Sequence, residues 1–241
     1  IEHKYLKFKG LNLTFETLDG LLKHSRPLVN KSKINRLISI KNFKNKINFN
    51  QYPSLEAQIS SLSDDIAYNN HDIQDGIKAK LFSFKELIEI DFFNEIYKSN
   101  KQNLKRKNLD ILIYQIIRDS INLMVKDSIN NTIKNIQKFK IKSIQNVYNC
   151  PETLVSFSNK FKKIEKEIKF FLRLKMYNNK NVLLKNNKGK KIVRHLFNEI
   201  SKKPNKFFNK EEVKKNKFRT ISDYIAGMTD RYAINLYNNL K

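Results

Sequence analysis

From Pro53 to Gly76 the chain reads Pro-Ser-Leu-Glu-Ala-Gln-Ile-Ser-Ser-Leu-Ser-Asp-Asp-Ile-Ala-Tyr-Asn-Asn-His-Asp-Ile-Gln-Asp-Gly. On a helix turning about 100° per residue, Tyr68, His71, Asp72 and Asp75 all fall within roughly 80° of Asp64. Three carboxylates, an imidazole and a phenol then share one face. A carboxylate at mid-helix, with a second acid eight residues on, can hold a hard divalent cation or orient a bound water. The alternative is a solvated acidic face, because paired acids are common on exposed helices. Tyr68, one turn from Asp64, and the lack of any Lys on this face of a Lys-rich chain favour chemistry.

The element that positions these residues is itself legible. Leu55, Ile59, Leu62, Ile66 and Ile73 recur at steps of three, four and seven on the opposite side. Pro53 and Ser54 supply a start signal, and Gly76 sits where a C-terminal cap belongs. A short helix is predicted over 10–24, with Leu18, Leu21 and Leu22 inward, ended by Pro27; residues 28–52 read as a loop. Helices follow over 84–98 (Phe84, Leu87, Ile88, Phe92 and Ile96 buried) and over 104–147. The stripe of the latter is Ile113, Ile117, Ile121 and Met124, then Ile129, Ile133 and Ile136, uninterrupted by Gly or Pro. Cys150-Pro151 breaks it. Further helices are predicted over 159–176, 189–201 and 219–240, the last striped by Ile221, Ile225, Met228, Tyr232 and Leu236. Residues 204–217, polar and without periodicity, read as a linker. No strand pattern competes, so the fold class is all-α.

Composition narrows the classes. The 241 residues contain 5 Gly and 4 Pro, too few to cut the chain into short strands. No apolar run reaches the ~18 residues of a membrane span. The start, Ile1-Glu-His-Lys, has neither an apolar signal region nor an initiator Met, which fits processing, trimming or a fragment. A single cysteine, Cys150, excludes an intrachain disulfide and fits a reducing, cytoplasmic setting. The net charge of +25 raises polynucleotides or nucleoside polyphosphates as partners. Lys is nonetheless scattered among Asn and Ile along nearly the whole chain, the pattern of an AT-rich genome. Basic runs at 101–107 and 188–194 could track a nucleic-acid backbone, but aromatic residues are thin there.

Other catalytic schemes lack their residues. His71-Asp72 has the form of the doublet used by metal-dependent phosphohydrolases, but such a site needs at least two His and two Asp converging. The four His, at 3, 24, 71 and 195, have no ligand spacing to one another. No Gly-x-Ser-x-Gly or Gly-rich phosphate loop is present, and Cys150 precedes Pro151 at a break. Lys23-His24 closes the first helix, where it could face a phosphate or simply complement the helix dipole.

Three segments in order resemble one family. Leu13-Thr-Phe-Glu-Thr-Leu-Asp-Gly-Leu-Leu-Lys-His24, the stretch Ser54 to Gly76, and Arg219-Thr-Ile-Ser-Asp-Tyr-Ile-Ala-Gly-Met-Thr-Asp-Arg231 look like the bacterial deoxyguanosinetriphosphate triphosphohydrolase-like proteins, of the HD-domain dNTP triphosphohydrolases. Phe171–Tyr177 and Ile192–Phe197 are similar to that family's C-terminal region. The resemblance implies an all-α, cytoplasmic enzyme that splits a deoxynucleoside triphosphate into deoxynucleoside and triphosphate with Mg²⁺ or Mn²⁺, commonly as a homo-oligomer. It implies Asp64 as the distant metal-ligating Asp, Tyr68 and Asp72 as deoxyribose contacts, and Lys23 and His24 near the triphosphate. The family's upstream His and His-Asp ligands have no counterpart here. The chain is therefore expected to be the C-terminal part of the enzyme, with no catalytic residue of its own and inactive alone. Residues 1–100 would complete the catalytic helical domain and 101–241 form the C-terminal helical region. The alternative is a non-catalytic helical protein that binds single-stranded nucleic acid through its basic surface. The Arg219–Arg231 motif could serve oligomer contacts, a regulatory nucleotide or core packing.

Overall fold

The computed structural model describes residue 11 and residues 13–28, 47–101 and 109–240. Among them there are helices and no strand, as the periodicity requires. The chain divides into two compact units at Arg173–Leu174.

In the first unit, α1 (Phe15–Lys23) precedes α2 (Leu55–Lys78), the helix of the chemical face. Short α3 (Phe84–Leu87) and α4 (Asp91–Lys101) lead to α5 (Leu109–Lys138), α6 (Ile144–Tyr148) and α7 (Asn159–Leu172). Helix α2 packs against α1, α5 and α7, and α4 packs on α5. Ile66 and Ile73 of α2, Ile113, Ile117 and Met124 of α5, and Ile164, Ile168 and Leu172 of α7 are buried.

Several boundaries differ from the sequence reading, each for a local reason. Gly76 is not a cap. It lies inside α2, which runs on to Lys78, and a Cβ there would collide with the ring of Phe82. The glycine serves a close approach of the buried Phe82, itself edge-on to Phe171 at 4.8 Å. The predicted 84–98 helix is two, because Ser83 and Glu86 form a reciprocal capping box on α3 and the chain turns again before Asp91. The predicted 104–147 helix ends at Lys138. Lys140 adopts φ 49°, Ile141 N–H bonds Ile136 O at 3.0 Å, and Ser143 caps α6. Residues 29–46, most of the predicted 28–52 loop, and residues 102–108, with most of the 101–107 basic run, lie outside the described residues.

Burial also departs from the stripes. Leu21 is 55% exposed, and the inward positions of α1 are Asp19, Gly20 and Lys23. Ile59 of α2 and Ile129 and Ile133 of α5 are exposed, at 50%, 53% and 49%. On the second half of α5 the partnered side is polar. Asp127 accepts from Ser158 N and Oγ, and Asn131 and Asn135 donate to the 154–156 carbonyls.

The second unit contains α8 (Lys180–Lys202), α9 (Lys210–Ala226) and α10 (Asp230–Asn239). Helix α8 begins well before the predicted residue 189, because Asn179 caps it and Gly189 meets nothing a side chain would disturb. Ile192, Leu196, Ile200 and Ile221 form its core. Residues 204–217 are not a plain linker: Phe207 and Phe208 pack on that core and helical structure begins at Lys210, although the chain breaks at Asn216 (φ −162°, ψ 83°), close to the predicted start of the last helix. The predicted 219–240 helix is interrupted at Gly227–Thr229, with Thr229 capping α10. Ile221 is buried, Ile225 and Met228 pack against it, and Arg219 Nε reaches both Asp223 oxygens at 2.8 and 2.7 Å. The Arg219–Arg231 motif is thus a packed helix–turn–helix.

Tyr224 and Tyr232 hydroxyls lie 3.1 Å apart. That hydrogen bond, with partial burial and the second phenol's charge, pushes Tyr224 up to about 12 from an ordinary 10.0. As pH rises through this window the unfolded chain releases a proton that the native chain keeps, so stability falls. Tyr224→Phe is expected to flatten the decline of the urea midpoint between about pH 10 and 12, compared with the unsubstituted protein.

Candidate functional site

Asp64 sits at the middle of α2, on the side turned away from Ile66 and Ile73. It is exposed and makes no hydrogen bond or ion pair among the described residues. Ser54 begins this helix by accepting from Ala57 N at 3.4 Å, and α1 lies close because Gly20 leaves no room for a Cβ against Ala57. That approach creates a groove of about 910 Å³ between α1, α2 and α6. Asp64, His24, Glu16, Glu56, Asp65 and Tyr148 line it. The groove is acidic. Burial, with Asp19, Glu16 and Glu56 nearby, pushes the Tyr148 phenol up. Backbone and Ser54 hydrogen bonds hold the Glu56 carboxyl below its usual range.

The predicted residues are divided by the structure. Asp64 and His24 share the groove. Tyr68 projects from α2 at 60% exposure, about 6 Å along the axis from Asp64, and half-buried Asp72 follows about 6 Å further. His71 lines a different, shallow cavity with Gln74, Tyr114 and Arg118. Lys23 does not line the groove: its ammonium is buried 2.7 Å from Asp19. Its charge is held by that carboxylate. Glu16 is linked to Asp64 only by the α1–α2 contact, whereas Glu56 lies eight residues before Asp64 on the same helix, at the spacing that also relates Asp64 to Asp72.

The residues present do not by themselves fit a catalytic metal. Among the described residues no group of three or more His, Cys, Asp or Glu could hold one. Asp64 contributes a single carboxylate, and a tightly held divalent ion needs several ligands.

Comparison with known proteins follows the same lines. Residues 155–239 match the phosphohydrolase-associated domain. The deoxyguanosinetriphosphate triphosphohydrolase-like protein of Pelagibacter ubique (strain HTCC1062) is 67% identical over 236 residues, 98% of this chain and 64% of that protein. The chain is homologous to these proteins along nearly its whole length. The proteins of the same description from Rickettsia bellii (strain RML369-C) and Rickettsia rickettsii (strain Iowa) are 35% and 36% identical over 246 residues. The chain spans 64% of the length of each of these curated relatives. Among the described residues, no helix is long and apolar enough to cross a membrane.

Proposed function

We propose that the protein hydrolyses deoxynucleoside triphosphates to deoxynucleoside and triphosphate, with Mg²⁺ or Mn²⁺ as cofactor. The observation that carries this reading is the α2 face, where Asp64 opens on a groove and Tyr68 and Asp72 follow at i+4 and i+8, in a chain 67% identical to a protein of that description. Asp64 supplies one metal ligand and the remaining ligands come from outside the described residues. Tyr68 stacks on or hydrogen-bonds the deoxyribose, Asp72 accepts from a sugar hydroxyl, and His24 faces the phosphates across the groove. Lys23, its ammonium paired with Asp19, stands beside His24 on the triphosphate side.

Triphosphate release from each dNTP, with Mg²⁺ or Mn²⁺, tests this in two samples: the chain alone and the protein expressed from its complete reading frame. Release is expected from the second and not from the first. No release from any dNTP by the second overturns the reading.

One observation favours a second function. Exposed Phe218 stacks on Phe197 at 6.0 Å in the second unit, and Phe197 shares a shallow surface with Lys190 and Arg194. A cationic surface with stacked rings suits single-stranded nucleic acid. Salt-dependent binding of oligo(dT), combined with inertness towards every dNTP, would make that the protein's function.

A further inference from the structure

Helix α8 carries a second face beside its buried stripe of Ile192, Leu196 and Ile200. Leu183, Lys190, Val193, Arg194 and Phe197 fall within roughly 100° of one another on the helix. Leu183 and Val193 are exposed, and exposed Phe218 of α9 extends the same surface by stacking on Phe197 at 6.0 Å. Within it lies a concavity of about 480 Å³, with Val193 and Phe197 as its apolar lining and Lys190 and Arg194 as its charged lining. Exposed apolar patches rimmed by polar groups mark binding surfaces.

The charge of this face is one-sided. Lys190 and Arg194 make no ion pair among the described residues. The acid of α8, Glu199, is taken by Lys202 at 2.7 Å. Lys217 lies over the Phe218 ring, 5.9 Å from its centre, and adds a third cation at the edge of the patch. Lys190 and Arg194 stand one turn apart, about 6 Å along the axis, and carboxylates at i and i+4 of a facing helix are spaced by the same rise.

Three kinds of anionic partner answer that charge, and shape separates them. Single-stranded nucleic acid needs free ring faces, but Phe197 and Phe218 lie within 20° of parallel and cover one face of each other. Leu183 and Val193 offer no ring at all. An anionic bilayer is flat on the scale of one helix and leaves the apolar lining of a concavity unfilled. A helix of another protein presents one bulky apolar side chain between carboxylates one turn apart, which fills the concavity and meets both cations.

We propose that this face of α8 docks an acidic amphipathic helix of a partner protein. A Leu or Phe side chain of that helix packs on Val193 and Phe197, and its carboxylates pair with Lys190 and Arg194.

Fluorescence anisotropy with the protein from its complete reading frame tests the surface. The probe is a labelled helical peptide of about 20 residues with Leu at heptad positions a and d and Glu at e and g. Val193→Lys alters an exposed position, should leave the circular dichroism spectrum unchanged, and is expected to weaken binding by about 10-fold. Lys190→Glu/Arg194→Glu is expected to weaken it by at least about 10-fold, and raising salt from about 50 to 200 mM by about 3-fold. Lys180→Glu/Lys185→Glu, which changes the charge of α8 by the same amount, is expected to cost less than about 3-fold. Failure of the peptide to bind, equal losses in the two double variants, or equal binding of the peptide with Lys in place of Glu overturns the proposal. Tighter binding of oligo(dT) or of phosphatidylserine vesicles, lost in Val193→Lys, overturns it in favour of nucleic acid or membrane. A change of oligomeric state in Val193→Lys, measured by sedimentation, overturns it in favour of a second copy of the protein.

Discussion

Asp64→Ala, in the protein expressed from its complete reading frame, is expected to lower metal-dependent triphosphate release by on the order of 10³-fold. A bound divalent ion contributes several kcal/mol to a phosphoryl-type transition state, and each ~1.4 kcal/mol is tenfold in rate. Removing a ligand carboxylate forfeits most of that. The fold should be unaffected, because Asp64 is exposed and bonds to nothing among the described residues. Two readouts keep catalysis separate from folding: the circular dichroism spectrum should be unchanged, and Mn²⁺ affinity measured calorimetrically should fall along with the rate. Glu89→Ala removes an exposed acid from the turn after α3 and should change neither rate nor affinity. Full activity in Asp64→Ala would remove Asp64 from the site. A lost rate with unaltered Mn²⁺ affinity would make it a substrate or water contact instead of a ligand.

The largest stability effect is expected at Gln58. This fully buried side chain donates to Pro53 O at 3.0 Å and accepts from the N–H groups of Leu154 and Val155. It ties the start of α2 to a loop almost a hundred residues later. Gln58→Ala leaves two buried N–H donors and one carbonyl unpaired, at about 1–3 kcal/mol each where water cannot reach, and opens a cavity as well. Partial relaxation reduces the sum, so a loss of about 3–5 kcal/mol is expected in urea unfolding of the chain. Gln58→Glu should also destabilise. It can accept the two N–H bonds but cannot donate to Pro53 O, and it buries a charge. A loss below about 1 kcal/mol for Gln58→Ala would mean that the loop has another anchor.

How much of this could be read from the chain varies residue by residue. Helix α2 was legible almost to its ends, since Ser54 caps it and Ile66 and Ile73 are buried where the stripe places them. A start signal is local: one side chain bonding to a backbone N–H three residues on. Its end was misread because glycine has two uses. At Gly76 the requirement is space for Phe82, a residue whose approach no helical pattern encodes. Helix α5 was found, but Ile129 and Ile133 were assigned to a core that the structure does not place there. Periodicity shows that an apolar face exists; it does not show what covers it. The misread 204–217 segment teaches the same point. Phe207 and Phe208 are isolated in sequence, and they become core only because Ile221 and Tyr224 fold back onto them.

The all-α class, the caps and the clustering of Asp64, Tyr68 and Asp72 on one face follow from local pattern, because a helix repeats every 3.6 residues and carries its own spacing rule. Tertiary packing alone decided that His24 shares a groove with Asp64, and that Arg26 meets Lys162 and Lys166 around a cavity walled by residues 154–156. Those partners lie from tens to more than a hundred residues apart. Electrostatics and desolvation act through space, and no rule of spacing along the chain reports which distant side chains the packing of helices will bring within their range.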